Sequence, residues 1–227
     1  MATANDIIDR VRKQLIDTGE LKRWSDEELL QWLSDGQRTI ALAVPSAARK
    51  RQVIQLQQGT LQELPADAHL LLSVIRNMGM DGQTPGRAIR LVKREIMDAQ
   101  NPDWHSAPKQ PIVQNYIFDT QEKTSFWVYP PNDGRGYVQV NYAYVPAGLT
   151  SLEDELAVND IWSTALVDYL LFRANQKDSD FAAGKEIAEG HLRSFALAVG
   201  ARGDGESEEN PNLQLVGFDP LVRGAAK

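Results

Sequence analysis

Trp24-Ser25-Asp26-Glu27-Glu28-Leu29-Leu30 is the stretch that places the first long helix of this chain. Ser25 followed three residues later by Glu28 is a capping box. The Ser25 hydroxyl accepts from the Glu28 amide, and the Glu28 carboxylate reaches back to the Ser25 amide. Trp24 before the cap and Leu29 at the fourth helical position have the spacing of a hydrophobic staple. The spacing therefore predicts a helix that starts at residue 25 and runs to about Val44, with Leu29, Leu33, Ile40 and Val44 on one side and Leu30 and Trp32 widening it. Pro45 ends it.

Upstream, Ile7, Ile8, Val11 and Leu15 recur at helical spacing, with Asp9, Arg10, Arg12 and Lys13 on the other face. That predicts a helix over 5–18, capped by Asn5 or Thr3, with Gly19 just past its end. The short connection to Ser25 implies two antiparallel neighbours.

Downstream the texture changes. Val53 to Gln58 alternates in part, and Gly59-Thr60 then leads to Leu61-Gln62-Glu63-Leu64-Pro65, a strand, a turn and a second short strand. Residues 69–78 read equally as a buried strand or a short helix. Arg87 to Val92 reads as a short strand and Lys93 to Gln100 as a short helix stopped before Pro102. Three clearer strands follow: Val113 to Phe118, Phe126 to Tyr129 terminated by Pro130-Pro131, and Tyr137 to Tyr144, where aromatic or β-branched residues alternate with polar and small ones.

The chain then returns to helix. Asn159 or Asp160 starts a segment with Ile161, Trp162, Ala165, Leu166, Tyr169 and Leu170. Asp180 caps a fourth with Phe181, Ile187, Ala188, Leu192, Phe195 and Val199, ending near Gly200. Gly184 and Gly190 cost that helix about 1 kcal/mol each relative to Ala, and either permit a close helix contact or are tolerated. Residues 201–211 read as an acidic linker, but Leu213, Leu215, Val216, Phe218, Leu221 and Val222 follow. A purely solvating tail needs no such apolar run, so a segment that orders on a partner is expected, with docking onto its own domain or a frayed end as the alternatives.

The fold expected from these elements is α+β. A four-helix bundle is built from the N-terminal helix pair (1–48) and the C-terminal pair (151–200). An antiparallel β-rich lobe (49–150) is inserted between them, and an extended tail (201–227) closes the chain.

With 227 residues the chain is long enough for one or two domains with a real core, and 42% hydrophobic and 24% charged residues are ordinary globular values. It has no cysteine, which excludes disulfides, thiolate nucleophiles and Cys-ligated zinc. Residues 1–6 carry no basic region followed by an apolar one, so no signal peptide is expected, and no apolar run approaches a membrane span. The net charge of −7 argues against a protein that grips nucleic acid by its phosphates.

Chemistry is sparse. His69, His105 and His191 lie far apart with no metal-ligand spacing. His191 beside Leu192 reads as a core or interface histidine. Asp103-Trp104-His105 is adjacent in sequence and does not converge on a substrate. Glu153, Asp154 and Glu155 read as a solvated turn; Glu206, Glu208 and Glu209 lack a fixed cage for a cation. Gly134-Arg135-Gly136 lacks phosphate-loop spacing, and Arg202-Gly203-Asp204 is a chance tripeptide match in a linker. Arg49-Lys50-Arg51 follows a helix C-terminus, where positive charge is favoured. Arg87, Arg90, Lys93 and Arg94 fit acidic surfaces of a neighbouring copy, or phosphate. Trp127, Tyr129, Tyr137, Tyr142 and Tyr144 at strand spacing read as cross-strand pairs rather than base-stacking platforms. No catalytic residue, metal ligand or cofactor is expected.

Several segments together resemble the adaptor (head-to-tail connector) proteins of short-tailed bacteriophages, the tail tubular protein A-like family. They are residues 23–30; Gly86 to Val92; Asp98-Ala99-Gln100-Asn101-Pro102-Asp103-Trp104-His105; Phe126 to Pro131; and Ala165 to Ala174. The resemblance covers most of residues 5–200. It implies a structural virion protein at the head–tail interface, assembled in the host cytoplasm as a twelve-subunit ring. The ring would join the portal protein to the tail nozzle and tail fibre proteins, and would extend the channel through which DNA passes without sequence-specific binding. An extended C-terminal segment would dock on the portal, with Leu213, Leu215, Val216, Phe218, Leu221 and Val222 as anchors. An acidic lumen would repel the DNA backbone and let it slide. The alternatives are another tail-tube or nozzle component, a tail-associated hydrolase, which needs converging carboxylates or a metal site, and a host nucleic-acid-binding protein.

Overall fold

The computed structural model describes residues 2–119, 121–178 and 182–209. Its elements in chain order are α1 (Ala4–Leu15), α2 (Asp26–Ala43), β1 (Arg49–Gln55), β2 (Gly59–Glu63), β3 (Ala68–Met78), β4 (Pro85–Ala88) and β5 (Arg90–Leu91). There follow α3 (Arg94–Gln100), β6 (Asn115–Ile117), β7 (Ser125–Asn132), β8 (Tyr137–Tyr144), α4 (Ser163–Lys177) and α5 (Ala182–Glu209). They divide into two compact units. One is built from Met1–Ala48 with Val145–Glu206, and the body of the other is Arg49–Tyr144.

In the helical unit, Thr3 rather than Asn5 caps α1, and it does so with a complete capping box. The Thr3 hydroxyl accepts from the Asp6 N–H at 3.3 Å, and the Asp6 carboxylate accepts from the Thr3 N–H at 2.8 Å. These bonds hold the Asp6 carboxyl below its ordinary range, the Thr3 backbone bond most of all. At α2 only half of the expected box forms. Ser25 Oγ accepts from the Glu28 N–H at 3.1 Å, but the Glu28 carboxylate instead takes Lys177 Nζ of α4 at 2.6 Å. Trp24 and Leu29 are both buried.

The four-helix bundle is not what forms. α1 and α2 each pack on α4, through Ile7, Ile8 and Val11, through Leu29, Leu33 and Ile40, and through Leu166 and Leu170, all buried. α5 does not complete a bundle with them. It lies along α4, where the Phe195 and Tyr169 rings are 5.1 Å apart and His191 Nδ1 is 2.9 Å from Asp168 Oδ1. A bundle helix needs a continuous apolar stripe of three to four residues per two turns. Among its described side chains α5 buries Ala188, Phe195 and Val199 and leaves Ile187 and Leu197 exposed. α5 also runs nine residues past Gly200, so 201–209 is helix and not the start of an extended tail. The result is an α+β fold with five helices and two four-stranded sheets among the described residues.

In the β unit the sheet orders are β1-β8-β3-β4 and β2-β7-β6-β5. Their facing sides share one core. Val74, Val138, Val140 and Tyr142 come from the first sheet, and Tyr116, Phe126 and Val128 from the second. β1 and β2 therefore do not pair with each other; the chain crosses between the sheets at Leu56 and Gly59. Gln62 braces that corner, accepting from the Gln57 N–H at 2.6 Å and donating to the Gln57 carbonyl at 3.0 Å. Residues 69–78 resolve as strand, because β3 pairs along its length with β8 and its last residues also pair with β4.

The lobe is not wholly antiparallel either. β5 and β6 run parallel, joined by a crossover that contains α3. β7 also continues through Pro130 and Pro131 instead of ending before them. Its pairing with β2 skips from Trp127 to Asn132, so neither proline is asked for a ladder N–H, while the Tyr129 and Pro131 carbonyls accept from Gln114 and Gln110.

Candidate assembly interface

The loop between α1 and α2 is built around a buried cation. Arg12 is 5 % exposed, although its sequence position puts it on the polar face of α1. Its guanidinium donates to Asp17 Oδ2 at 2.6 Å, to the Trp24 carbonyl at 2.8 Å and to Asp26 Oδ1 at 2.6 Å. Asp17 in turn accepts from the Arg23 N–H at 2.7 Å. Arg12 draws the Asp26 carboxyl below its ordinary range, with Lys22 adding to the effect. The sequence signal for this network was present in an arginine one turn from the helix end with aspartates at 17 and 26, but periodicity alone reads Arg12 as solvent-facing.

α1 ends at Leu15, and its C-cap Ile16 lies in the left-handed region, φ 56° and ψ 33°, with its N–H bonded back to the last turn. That is the position normally given to glycine, and a β-branched residue there costs about 1–2 kcal/mol. Ile16 is nevertheless 88 % exposed, and Leu21 in the same loop is 96 % exposed. Two large apolar side chains are thus held out in solvent on an internally ion-paired loop.

The tryptophans in and just before α2 carry cations. Arg173 lies 5.7 Å from the Trp32 ring, and Lys177 and Arg23 lie 5.2 and 5.4 Å from the Trp24 ring. Arg23 also pairs with Asp178. These contacts fix the start of α2 to the end of α4, beside the Ile16–Leu21 loop.

In the β unit, a second small core gathers Met97, Trp104 and Ile117. Trp104 Nε1 donates to Asp98 at 2.8 Å, and the His105 ring stacks on Trp104 with Nδ1 2.9 Å from Thr60 Oγ1. Trp127 and Tyr129 pack against this cluster and Tyr142 lies in the main core, so these aromatics are structural. Met80, Ile96 and Ile112 are exposed on this unit.

The three histidines remain apart. Burial lowers the His69 imidazole below its ordinary value, with Lys123 acting in the same direction. His191 pairs with Asp168, the residue that interrupts the apolar run of α4. Among the described residues no three His, Asp or Glu side chains are placed to hold a metal ion, and no helix is long and apolar enough to cross a membrane. Asp154 folds the 150–155 turn onto itself, accepting from the Thr150 and Ser151 N–H groups at 2.7 and 2.9 Å, which lowers its carboxyl. Asp133 and Arg135 pair at 2.6 Å in the Gly134–Gly136 loop. Arg202-Gly203-Asp204 and Glu206, Glu208 and Glu209 fall within α5.

Arg49, Lys50 and Arg51 are on strand β1 rather than at a helix end. Lys50 pairs with Asp67 at 2.5 Å, which raises its ammonium and lowers the Asp67 carboxyl. Of the second basic group, Arg94 sits 5.4 Å from the Trp127 ring and 3.5 Å from Asp98; Arg87, Arg90 and Lys93 are exposed. The expected anchors Leu213, Leu215, Val216, Phe218, Leu221 and Val222 lie outside the described residues, as does the expected cap Asp180.

The site that emerges is a set of exposed, braced surfaces with no converging acid, base or nucleophile among the described side chains. No curated protein matches the chain. A family model described as SU10 adaptor protein matches residues 2–214 and so takes in both compact units. With nearly its whole length matched, the chain belongs to the SU10 adaptor protein family.

Proposed function

We propose that this chain is a ring-forming structural protein of a phage virion that joins the portal to the tail nozzle and fibres, extends the DNA channel and takes part in genome retention and ejection. The observation that carries the reading is the adaptor-family match across residues 2–214. The ion-paired loop that exposes Ile16 and Leu21 supports it, since an exposed pair of large aliphatics suits a protein–protein contact. In this reading twelve copies surround the channel, and Leu213, Leu215, Val216, Phe218, Leu221 and Val222 latch onto the portal.

The test is native mass spectrometry of the purified chain, alone and with portal rings. Assembly of a ring of portal stoichiometry on the portal is the expected result. A chain truncated after Glu209 should stay folded and fail to cap DNA-filled heads; normal attachment by that chain would remove the latch from the proposal. No association with portal in either sample favours another tail-tube or nozzle component.

A further inference from the structure

Sheet β1-β8-β3-β4 has a face turned away from the core, and that face is basic. Its strands hold no Asp or Glu, and Arg49, Arg51 and Arg76 fall on that face, while Lys50, paired with Asp67, falls on the other. Side chains alternate along a strand. With Val138, Val140 and Tyr142 of β8 buried, Gln139 and Asn141 point to the opposite face. In register, Arg51 of β1 lies across from Asn141, and Arg76 of β3 lies across from Gln139. Each guanidinium is anchored there in the same way. Arg51 gives its Nε–H to Asn141 Oδ1 at 3.2 Å, and Arg76 gives its Nε–H to Gln139 Oε1 at 3.0 Å. Asn141 is itself oriented by donating to Ser73 Oγ at 3.2 Å.

Anchoring through Nε leaves the terminal nitrogens of both arginines open for the fork of an oxyanion. Neither arginine has an ion-pair partner among the described residues. The two anchoring amides are two residues apart on β8, about 7 Å along the strand. Arg49, two residues before Arg51, extends the same face.

We infer that this face binds the acidic C-terminal end of α5 of a second copy of the chain. That end carries Asp204, Glu206, Glu208 and Glu209, with no basic residue in its last turn. Carboxylates at a helix C-terminus face the negative end of the helix dipole, so the segment gains from an external cation. Asp204 and Glu208 are four residues apart along α5, about one helical turn. The net charge of −7 weighs against duplex DNA as the occupant, because the rest of the surface repels phosphate. The contact is head-to-tail, so it propagates from copy to copy as a ring requires. It rests on the reading that copies of this chain assemble.

The test uses two variants of the full chain, Arg51→Glu with Arg76→Glu, and Asp204→Lys with Glu208→Lys. Melting curves establish that each is folded, and sedimentation at low salt measures self-association. Each variant alone should associate at least about tenfold more weakly than the wild type, and an equimolar mixture should regain association, because each supplies the charge the other now needs. Wild-type association in both variants, or a mixture that does not recover, overturns the inference. A wild-type chain that stays monomeric while the substitutions alter only its own melting places the contact within one chain and also overturns it. Duplex DNA binding abolished by the arginine substitutions, with self-association intact, reassigns the face to phosphate. Portal capture by the wild type, measured alongside, tests the adaptor reading separately: capture that persists while the mixture fails to recover removes only this contact.

Discussion

A Cβ built on Gly36 of α2 would lie 3.0 Å from Cδ1 of Tyr169 and 3.1 Å from Cδ2 of Leu166 on α4. The two helices approach so closely because residue 36 has no side chain, and Tyr169 uses the space to reach Phe195 of α5. One glycine thus sets the spacing of a stack that runs across three helices.

Gly36→Ala should therefore destabilise the protein by about 1–3 kcal/mol, the usual cost of overpacking a tight contact, despite the better helix propensity of alanine. Gly190 on α5 is the contrast, since a Cβ there meets nothing within 4 Å. Gly190→Ala should stabilise by up to about 1 kcal/mol. Thermal melts of the two single variants decide it; shifts of the same sign in both would contradict the distinction between a contact glycine and a tolerated one.

Removing Arg12 should be among the most damaging single changes. Arg12→Met leaves Asp17 buried without its cation, which costs about 3–5 kcal/mol. Asp17→Asn with Arg12→Met should recover part of that loss, because the uncompensated charge is then gone. Chemical denaturation of the single and double variants measures the coupling. Additive losses would mean that the pair does not act as a unit.

Much of the helical framework was legible because it depends on local signals. Ser25 and Thr3 announce helix starts through short-range hydrogen bonds, and Pro45 and Asn159 mark ends and starts in the same way. What could not be read is where long-range pairing decides. Glu28 has an equally good partner in Ser25 and in Lys177, and only the fold brings Lys177 within 2.6 Å. Residues 69–78 become strand because β8 and β4 flank them. The apolar residues of α5 are numerous enough for a bundle helix, but Ile187 and Leu197 fall off the face occupied by Ala188, Phe195 and Val199, so the bundle inferred from their number does not close. The candidate interaction surfaces were harder still. Ile16 reads as an ordinary helical residue, but α1 ends one residue before it and leaves it as the left-handed cap. Arg51 and Arg76, 25 residues apart in sequence, become neighbours only through β8.

Ile16→Gly should raise stability by about 1 kcal/mol, since glycine adopts the left-handed conformation without the steric cost that isoleucine bears. If the loop is a contact with another virion protein, the same substitution should weaken assembly on the portal while the isolated chain melts at a higher temperature. Opposite signs in the two measurements are the signature of a residue retained for binding. Unchanged assembly would leave the exposed aliphatic without that role.

The acid side of the stability profile should carry the mark of Asp81. Its carboxylate closes the 79–84 turn, with Oδ1 accepting from the Gln83 and Thr84 N–H groups at 2.9 and 3.1 Å and Oδ2 from the Thr84 hydroxyl at 2.8 Å. The Gln83 amide contributes most, then the Thr84 amide, and together they hold the carboxyl at about 2 against an ordinary 3.8. Because the folded value lies below the unfolded one, the unfolded chain takes up the proton first as pH falls. The stabilisation is complete above pH 3.8 and is lost as the pH drops toward 2. Asp81→Asn cannot make this ionic contribution at any pH. The variant should be less stable than the wild type near neutrality, and the gap should narrow through this window while other lowered carboxylates, such as Asp6, Asp133 and Asp154, titrate alike in both proteins. Denaturation midpoints measured from pH 6 downward give the difference directly. A gap that stays constant to the lowest pH at which the protein is folded would show that the turn does not depend on the charge of Asp81.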